Sequence, residues 1–216
     1  MIRAVAAAVM LVLSSHTTLA ADDAPAEVNE SAEAQAVRKQ VDRLNAVLIE
    51  SMKRADLGYS GRYKLLEPVV GEVFRFESVA QIALGAHWKQ LSAAQQSQFV
   101  AKLRELSVAT YAAQFNSYDG ESFRYDSVQV LKPEKLVARY DMVAGDEKPV
   151  RFEYLVINNE GRWAIVSIMV DGINDLALKK AQYTSIIDRE GFDSLMQKLT
   201  QKISDYASDK SVSAAK

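Results

Sequence analysis

Cysteine is absent from the 216-residue sequence, and histidine occurs only at His16 and His87. Without cysteine the chain can form no disulfide, no thiolate nucleophile and no cysteine-ligated zinc site. These absences exclude the small disulfide-stapled domains, the cysteine hydrolases and the zinc fingers. A domain of this composition has to be held together by its apolar core alone.

An excess of positive charge is also absent. The chain has 26 lysines and arginines against 28 aspartates and glutamates, which gives a formal net charge of −2. No block of lysine and arginine is long enough to follow a nucleic-acid backbone or to attract an anionic membrane surface. We therefore predict no nucleic-acid partner.

Long apolar runs are lacking too, because the longest one, residues 4–13, is shorter than the roughly 20 residues that cross a bilayer. Arg3 precedes this run and Thr18-Leu19-Ala20 follows it, which is the pattern of a cleaved secretory signal peptide over residues 1–20. No cysteine follows the cleavage site, which excludes a lipoprotein anchor. We predict a bacterial periplasmic location, a flexible lead-in over residues 21–32, a single folded domain over residues 33–208 and a disordered tail over residues 209–216.

Apolar periodicity predicts helices in the first half of the domain and again at its end. Ser92 and Gln95 form a capping box, while Ser78 is the expected cap of a short helix that Gly85 ends. Pro68 is expected to kink or divide the second helix, and Leu57 to Gly61 is expected to be a break. The predicted helices cover residues 33–54, 62–74, 79–84, 92–115, 174–190 and 194–206.

Between these helical regions the apolar period changes to two, which is typical of strands. Four strands are predicted over residues 123–130, 136–142, 150–156 and 163–170, joined by turns at Pro133, at Gly145 and at residues 158–161. The alternation changes phase near Asp126, which predicts a β-bulge there. Strands and helices segregated in this order predict an α+β fold with an antiparallel meander.

No catalytic constellation is evident, and no cofactor or metal is predicted. His87 is interpreted as structural because it is isolated from other catalytic residue types. Asp171 and Asp175 are most simply a turn residue and a first-turn helix acid. The apolar residues on the predicted strands and helices fit a filled core and equally a wall around an apolar cavity, because periodicity does not distinguish the two.

Several short stretches occur in an order that resembles the MlaC/toluene-tolerance family of periplasmic phospholipid-binding proteins. In chain order these are Phe76, Gly85 and Trp88; Leu91-Ser92 with Phe99; residues 109–112 with Tyr118 and Gly120; residues 161–165; and Gly172 with Tyr183, Ile186 and residues 191–195. Within this family, TYAAQFNSYDGESF (residues 110–123) and the Val-Asp-Gly turn are most similar to the hopanoid-biosynthesis-associated HpnM branch. The resemblance covers residues 38–206.

The resemblance implies an NTF2-like sheet of four antiparallel strands wrapped by about six or seven helices, with lipid tails held between them. It implies a monomeric carrier that shuttles phospholipid between an inner-membrane ABC transporter complex and an outer-membrane lipoprotein complex. Ser167-Ile168 and Asn174-Asp175 depart from the family pattern, which leaves the ligand class and the partner contacts open.

We predict that the lipid-facing residues are Val73, Phe76, Phe99, Leu103, Tyr111, Ala138, Tyr140, Met142, Phe152, Tyr154, Trp163 and Met169. The alternatives are a carrier of hopanoid or another polycyclic lipid, an NTF2-like enzyme that uses a buried acid or His87, and a structural envelope module with a solid core.

Overall fold

The computed structural model describes residues 31–208, so the predicted signal peptide, most of the lead-in and the predicted tail lie outside the described residues. Within that range the α-helices are α1 (Ala32–Lys53), α2 (Gly58–Val73), α3 (Phe76–Leu84), α4 (Ala93–Gln114), α5 (Asp175–Glu190) and α6 (Phe192–Ala207). The strands are β1 (Ser122–Lys132), β2 (Lys135–Val143), β3 (Val150–Asn159), β4 (Arg162–Val170) and β5 (Ile173–Asn174). Two 3-10 helices cover Ala55–Leu57 and Gly85–Gln90. The predicted α+β class is confirmed.

One antiparallel sheet contains all five of these strands in the order of the sequence. The predicted meander of four strands is confirmed, and β5 is an addition to it. Asp171 and Gly172 have φ values of 47° and 81°, which turn the chain back so that β5 pairs with the end of β4. A strand of two residues is too short to show alternation, which is why the sequence did not predict it.

Two of the three register shifts in the sheet lie within the body of its strands, and the third, between Val130 and Lys132, lies at the end of β1. Between β1 and β2, Tyr125 pairs with Tyr140 and Ser127 pairs with Arg139, so Asp126 is the extra residue and the predicted bulge is confirmed. Between β3 and β4, Leu155 pairs with Ser167 while Val156 pairs with Ile165. The extra residue there is Val166, in a strand that the sequence predicted to be regular.

The two faces of the sheet differ in chemistry. The outer face of the first three strands carries ion pairs between neighbouring strands, among them Arg139 with Glu153 at 2.7 Å and Arg151 with Asp141 at 2.8 Å. The other face is apolar and is covered by the helices. An antiparallel sheet with one solvated face and one packed face alternates in this way along each strand. The apolar interior therefore lies between the sheet and the helices.

Helix α1 crosses the inner face of the sheet. Its residues Val37, Val41, Leu44 and Leu48 are at most 2% exposed, which confirms the predicted apolar stripe. Asp42 accepts a hydrogen bond of 2.6 Å from the Tyr140 hydroxyl on β2. Long-range contacts of this kind place α1 over the middle of the sheet.

Helix α2 differs from the prediction at two places. It begins at Gly58, so the stretch Gly58 to Gly61 that was predicted to be a break forms its first turn instead. It then continues to Val73 as one helix through Pro68, which does not divide it. The buried residues Leu66, Val70 and Val73 hold the helix against the core on both sides of the proline, and such packing outweighs one missing hydrogen bond.

Helix α3 begins earlier than predicted. Its first residue is Phe76, and Ser78 lies inside the helix rather than capping it. The chain enters this helix from a bridge between Phe74 and Ile165 of β4, and the Arg75 amide donates to the Ile165 carbonyl at 3.0 Å. That attachment to the sheet, rather than a side-chain cap, sets the start of the helix.

The sequence predicted the start of α4 and the end of α3 correctly. The Ser92 hydroxyl accepts from the Gln95 amide at 3.3 Å, and the Gln95 side chain accepts from the Ser92 amide at 3.0 Å, which is a capping box. Gly85 ends α3 with a φ of 54°, a conformation that favours glycine. No helix within residues 31–208 is both long and apolar enough to cross a membrane.

Candidate functional site

The inner face of the sheet contributes the first wall of the candidate site. Ala138 and Tyr154 are direct cross-strand neighbours, and so are Tyr140 and Phe152. These four side chains and Trp163 are at most 7% exposed. Strands β2, β3 and β4 therefore present one continuous apolar surface to the helices.

The helices contribute the opposite wall. Val73 at the end of α2, Phe76 at the start of α3, and Phe99 and Leu103 on α4 are at most 5% exposed. Tyr111 on α4 and Met142 on β2 are partly buried and pack against the same core. All of the predicted lipid-facing residues except Met169 therefore lie in one apolar interior.

Met169 lies on the other face of the sheet. It pairs with Glu153, whereas its neighbour Ile168 pairs with Tyr154 on the inner face. The cause is the bulge at Val166, which shifts the alternation of β4 by one residue after Ile165. Ile168 and Val170 occupy the inner positions instead, and both pack against the core.

Aromatic rings contact one another on both sides of this interior. Tyr140 contacts Tyr154 edge-on with 5.8 Å between the ring centres, and Phe152 contacts Phe123 edge-on at 5.2 Å. On the helical side, the Phe74 ring lies 5.5 Å from Phe76 and 6.3 Å from Tyr111. Such rings contribute a large apolar area with few polar atoms, which suits the enclosure of an apolar ligand.

The polar tips of two inner tyrosines are bonded to α1. The Tyr154 hydroxyl donates to the Asn45 side-chain oxygen at 2.6 Å, and Tyr140 donates to Asp42 as described above. The Asn45 amide nitrogen is buried and has no hydrogen-bond partner among the described residues. A buried amide of this kind is a donor that a polar group within a bound molecule can use.

The buried tyrosines give a prediction for alkaline pH. Burial raises the pKa of the Tyr140, Tyr154 and Tyr183 hydroxyls above the usual value of about 10. The unfolded chain loses these protons near pH 10 while the folded protein keeps them, so unfolding releases protons and stability falls as the pH rises above about 10. The urea midpoint is expected to stay level up to that pH and then fall.

Absorbance at the tyrosinate wavelength, recorded on the same samples, checks the assignment. Tyrosinate should form together with the loss of structure, and Tyr183→Phe should reduce the alkaline loss because one titrating group is removed. A urea midpoint that is unchanged above about pH 10 would contradict this prediction.

Two adjoining clefts open where α2, α3 and α4 meet the start of β4. The first has a volume of about 600 Å³ and is lined by Phe74, Phe76, Trp88, Val100 and Ala101 together with polar residues at its rim. The second has a volume of about 720 Å³ and runs along the end of the β3–β4 hairpin. Phe74, Glu77 and Arg162 line both clefts. Volumes of this size are typical of sites for small molecules.

The residues considered for catalysis have structural partners. The His87 ring nitrogen lies 3.0 Å from the Asp188 carboxylate on α5, which agrees with the structural role predicted for it. Asp171 accepts from the Arg151 amide at 2.9 Å, and Asp175 forms an ion pair with Lys179 in the first turns of α5. Asp171 and Asp175 therefore act as the turn residue and the helix acid that the sequence predicted. Within residues 31–208 no three metal-ligating side chains form a group that could hold an ion.

Fold and site together define an α+β protein whose sheet and helices face each other across an apolar interior with several aromatic rings. The MlaC protein family matches residues 38–201, which is more than half of the chain. The chain therefore belongs to the MlaC protein family.

This chain is similar to proteins that include the following two. The intermembrane phospholipid transport system binding protein MlaC of Haemophilus influenzae is 24% identical over 125 residues, which is 56% of this chain and 58% of that relative. The solved structure of a phospholipid-binding protein from Ralstonia solanacearum, in complex with a phospholipid, superposes with a TM-score of 0.69 at 22% identity. That superposition covers 80% of this chain and 97% of the other and shows a common fold.

Proposed function

We propose that this protein is a periplasmic carrier that binds phospholipid and shuttles it between an inner-membrane ABC transporter complex and an outer-membrane lipoprotein complex. Family membership supports this proposal, as do the names of the two relatives, one a phospholipid transport protein and the other bound to a phospholipid. The signal-peptide pattern over residues 1–20 supports the periplasmic location.

The observation that carries the proposal is the continuous apolar face of β2, β3 and β4 opposite the apolar residues of α2, α3 and α4. Moving an acyl chain into water costs about 0.8 kcal/mol for each CH₂ group. A protein that carries a sixteen-carbon tail must therefore offset a transfer free energy of about 12 kcal/mol by burying the tail. A surface groove leaves much of the tail in water. Only an enclosed apolar interior supplies most of that free energy.

We propose that the lipid tails separate the sheet from the helices and lie between them. The wall would then consist of Val73, Phe76, Phe99, Leu103, Tyr111, Ala138, Tyr140, Met142, Phe152, Tyr154 and Trp163. Met142 suits tails of different length because its side chain is flexible and polarisable. Met169 is not part of this wall, since it lies on the other face of the sheet.

A carrier rather than an enzyme is supported by the polar groups in this interior. The inner tyrosine hydroxyls of Tyr140 and Tyr154 already donate to Asp42 and Asn45, and burial raises the pKa of both tyrosines. A tyrosine in that state is neutral at physiological pH and is a weak base and a weak acid. Such an interior supports the binding and release of a lipid without covalent chemistry.

Native mass spectrometry of the protein purified from a cell-envelope fraction, followed by analysis of the released lipids, tests the proposal. We expect a discrete mass increase that corresponds to one phospholipid. A pentacyclic triterpenoid would instead identify a carrier of the hopanoid branch. Protein that stays empty even after incubation with phospholipid vesicles would contradict the carrier function.

A further inference from the structure

Three arginines surround the C-terminal end of α2. Arg162, at the start of β4, donates to the Glu72 carbonyl at 2.9 Å, and Arg75 donates to the Arg162 carbonyl at 3.3 Å. Arg104, on α4, lies against the backbone of α2 at Gly71. These residues come from three separate segments of the chain, and the fold brings them to the mouth of the two clefts.

None of these three arginines has a carboxylate partner in the part of the chain that the structure describes. Arg104 makes neither a hydrogen bond nor an ion pair with any residue between 31 and 208, and it is exposed. Other arginines of the protein are paired, such as Arg139 with Glu153 and Arg43 with Glu72. The guanidinium groups at the cleft are therefore available to an anion.

The first cleft combines this charge with an apolar floor. Arg104 and Arg162 stand at its rim with one carboxylate, Glu77, so the rim has a net positive charge. Phe74, Phe76, Trp88, Val100 and Ala101 form the floor. A molecule that complements both features has an anionic group joined to an apolar body.

The floor of the cleft continues into the protein interior. Phe74 lines the cleft, stacks on Phe76 and contacts Tyr111, which packs against the core beneath the sheet. Phe74 therefore connects the cleft to Phe76 and Tyr111, which belong to the proposed lipid wall. An acyl chain that passes Phe74 and Phe76 reaches the interior while its head remains at the rim.

We propose that Arg104 and Arg162 bind the phosphate diester of a glycerophospholipid whose acyl chains enter the interior past Phe74 and Phe76. This inference rests on the proposed carrier function and assigns the headgroup end of that site. Arginine presents its N–H donors in a planar fork that matches phosphate oxygens, and such charge-assisted hydrogen bonds are about twice as strong as neutral ones.

Gly71 positions Arg104 within this arrangement. A Cβ atom at residue 71 would lie 2.4 Å from the Arg104 terminal nitrogen, so a side chain there displaces the guanidinium from its place over α2. Alanine is a better helix former than glycine. Gly71→Ala is therefore expected to move the arginine without unfolding the protein.

The test compares two lipids with identical acyl chains, dipalmitoyl phosphatidylglycerol and dipalmitoylglycerol, offered together to the mature protein and counted by native mass spectrometry. The wild type is expected to bind the phospholipid at least about tenfold more tightly than dipalmitoylglycerol. Dipalmitoylglycerol has no phosphate and so lacks at least one charge-assisted hydrogen bond to the arginines. The double variant Arg104→Gln and Arg162→Gln is expected to lose this preference while still binding both lipids. Gly71→Ala is expected to reduce the preference at unchanged melting temperature.

Arg189→Gln is the matched control, because Arg189 is an exposed arginine on α5 that lines neither cleft. It should keep the preference of the wild type.

An unchanged preference in the double variant would overturn the headgroup site and leave the carrier function intact. A wild type that binds neither lipid would overturn the carrier function itself. The last measurement is the affinity of the protein for inorganic phosphate alone. If the protein binds phosphate as tightly as it binds the phospholipid, the cleft is a site for free anions and the proposal is overturned.

Discussion

Replacing Ala138 with tryptophan is expected to reduce the phospholipid that copurifies with the protein by about tenfold or more. Ala138 is fully buried on the inner face of β2, between Val128 of β1 and Tyr154 of β3. An indole ring at this position fills space between the sheet and the helices that we assign to an acyl chain. The lipid is then excluded by volume, without any change in charge or hydrogen bonding.

The matched control for this substitution is Val137→Trp. Val137 is the adjacent residue of the same strand, pairs with Leu155 and points to the outer face. Overpacking at Ala138 costs about 1–3 kcal/mol of stability, which a domain stable by 5–15 kcal/mol tolerates, so both variants are expected to fold. Full lipid occupancy in a folded Ala138→Trp protein would show that this face does not line the cavity.

Replacing Phe99 with alanine is expected to lower the free energy of unfolding by about 3–5 kcal/mol. Phe99 is fully buried on α4 and contacts Tyr183 of α5 at 6.1 Å and Phe192 of α6 at 6.2 Å between ring centres. Removing the ring takes away the common contact of three helices and leaves a cavity where they meet. Urea unfolding followed by circular dichroism measures the change.

An exposed apolar residue serves as the control for Phe99. Leu178 on α5 is 59% exposed, and Leu178→Ala is expected to change stability by no more than about 0.5 kcal/mol. If Phe99→Ala costs less than about 1 kcal/mol, the three helices do not depend on this ring for their packing.

Local chemistry was the most predictable part of the fold. The capping box of Ser92 and Gln95 follows from residue types at a fixed spacing, and the bulge at Asp126 follows from a visible change of phase. Both signals lie within a few residues of the feature that they specify. The α+β class could be predicted in the same way, because apolar residues recur with a period of 3.6 in some regions of the sequence and with a period of two in others.

Features set by distant contacts could not be predicted. The start of α3 depends on the bridge between Phe74 and Ile165, which are far apart in sequence. The bulge at Val166 lies in a run of apolar residues that shows no change of phase, because both faces of β4 are buried there. Trp163 lies before this bulge and is on the inner face of the sheet, as the alternation predicts. Met169 lies after the bulge and is on the outer face.

In the candidate site, too, some features depend on local sequence and others on contacts between distant segments. The burial of its apolar residues could be predicted because inward-facing residues carry the periodicity of their own strand or helix. The rim arginines were not, since Arg75, Arg104 and Arg162 are ordinary charged residues in three segments that only the fold brings together. No spacing within one segment distinguishes them from solvated surface arginines.

The hydrogen bonds from the sheet to α1 have a consequence for the order of folding. Tyr140 and Asp42 are 98 residues apart in sequence, and Tyr154 and Asn45 are 109 residues apart. The strand pairs β1–β2, β2–β3 and β3–β4 close much shorter loops, so the meander can assemble while α1 still has no sheet to cover. Until then the buried stripe of α1, which contains Val37, Val41, Leu44 and Leu48, has no sheet to pack against. The hydrogen bonds of Tyr140 to Asp42 and of Tyr154 to Asn45 therefore form only when α1 docks on the assembled sheet.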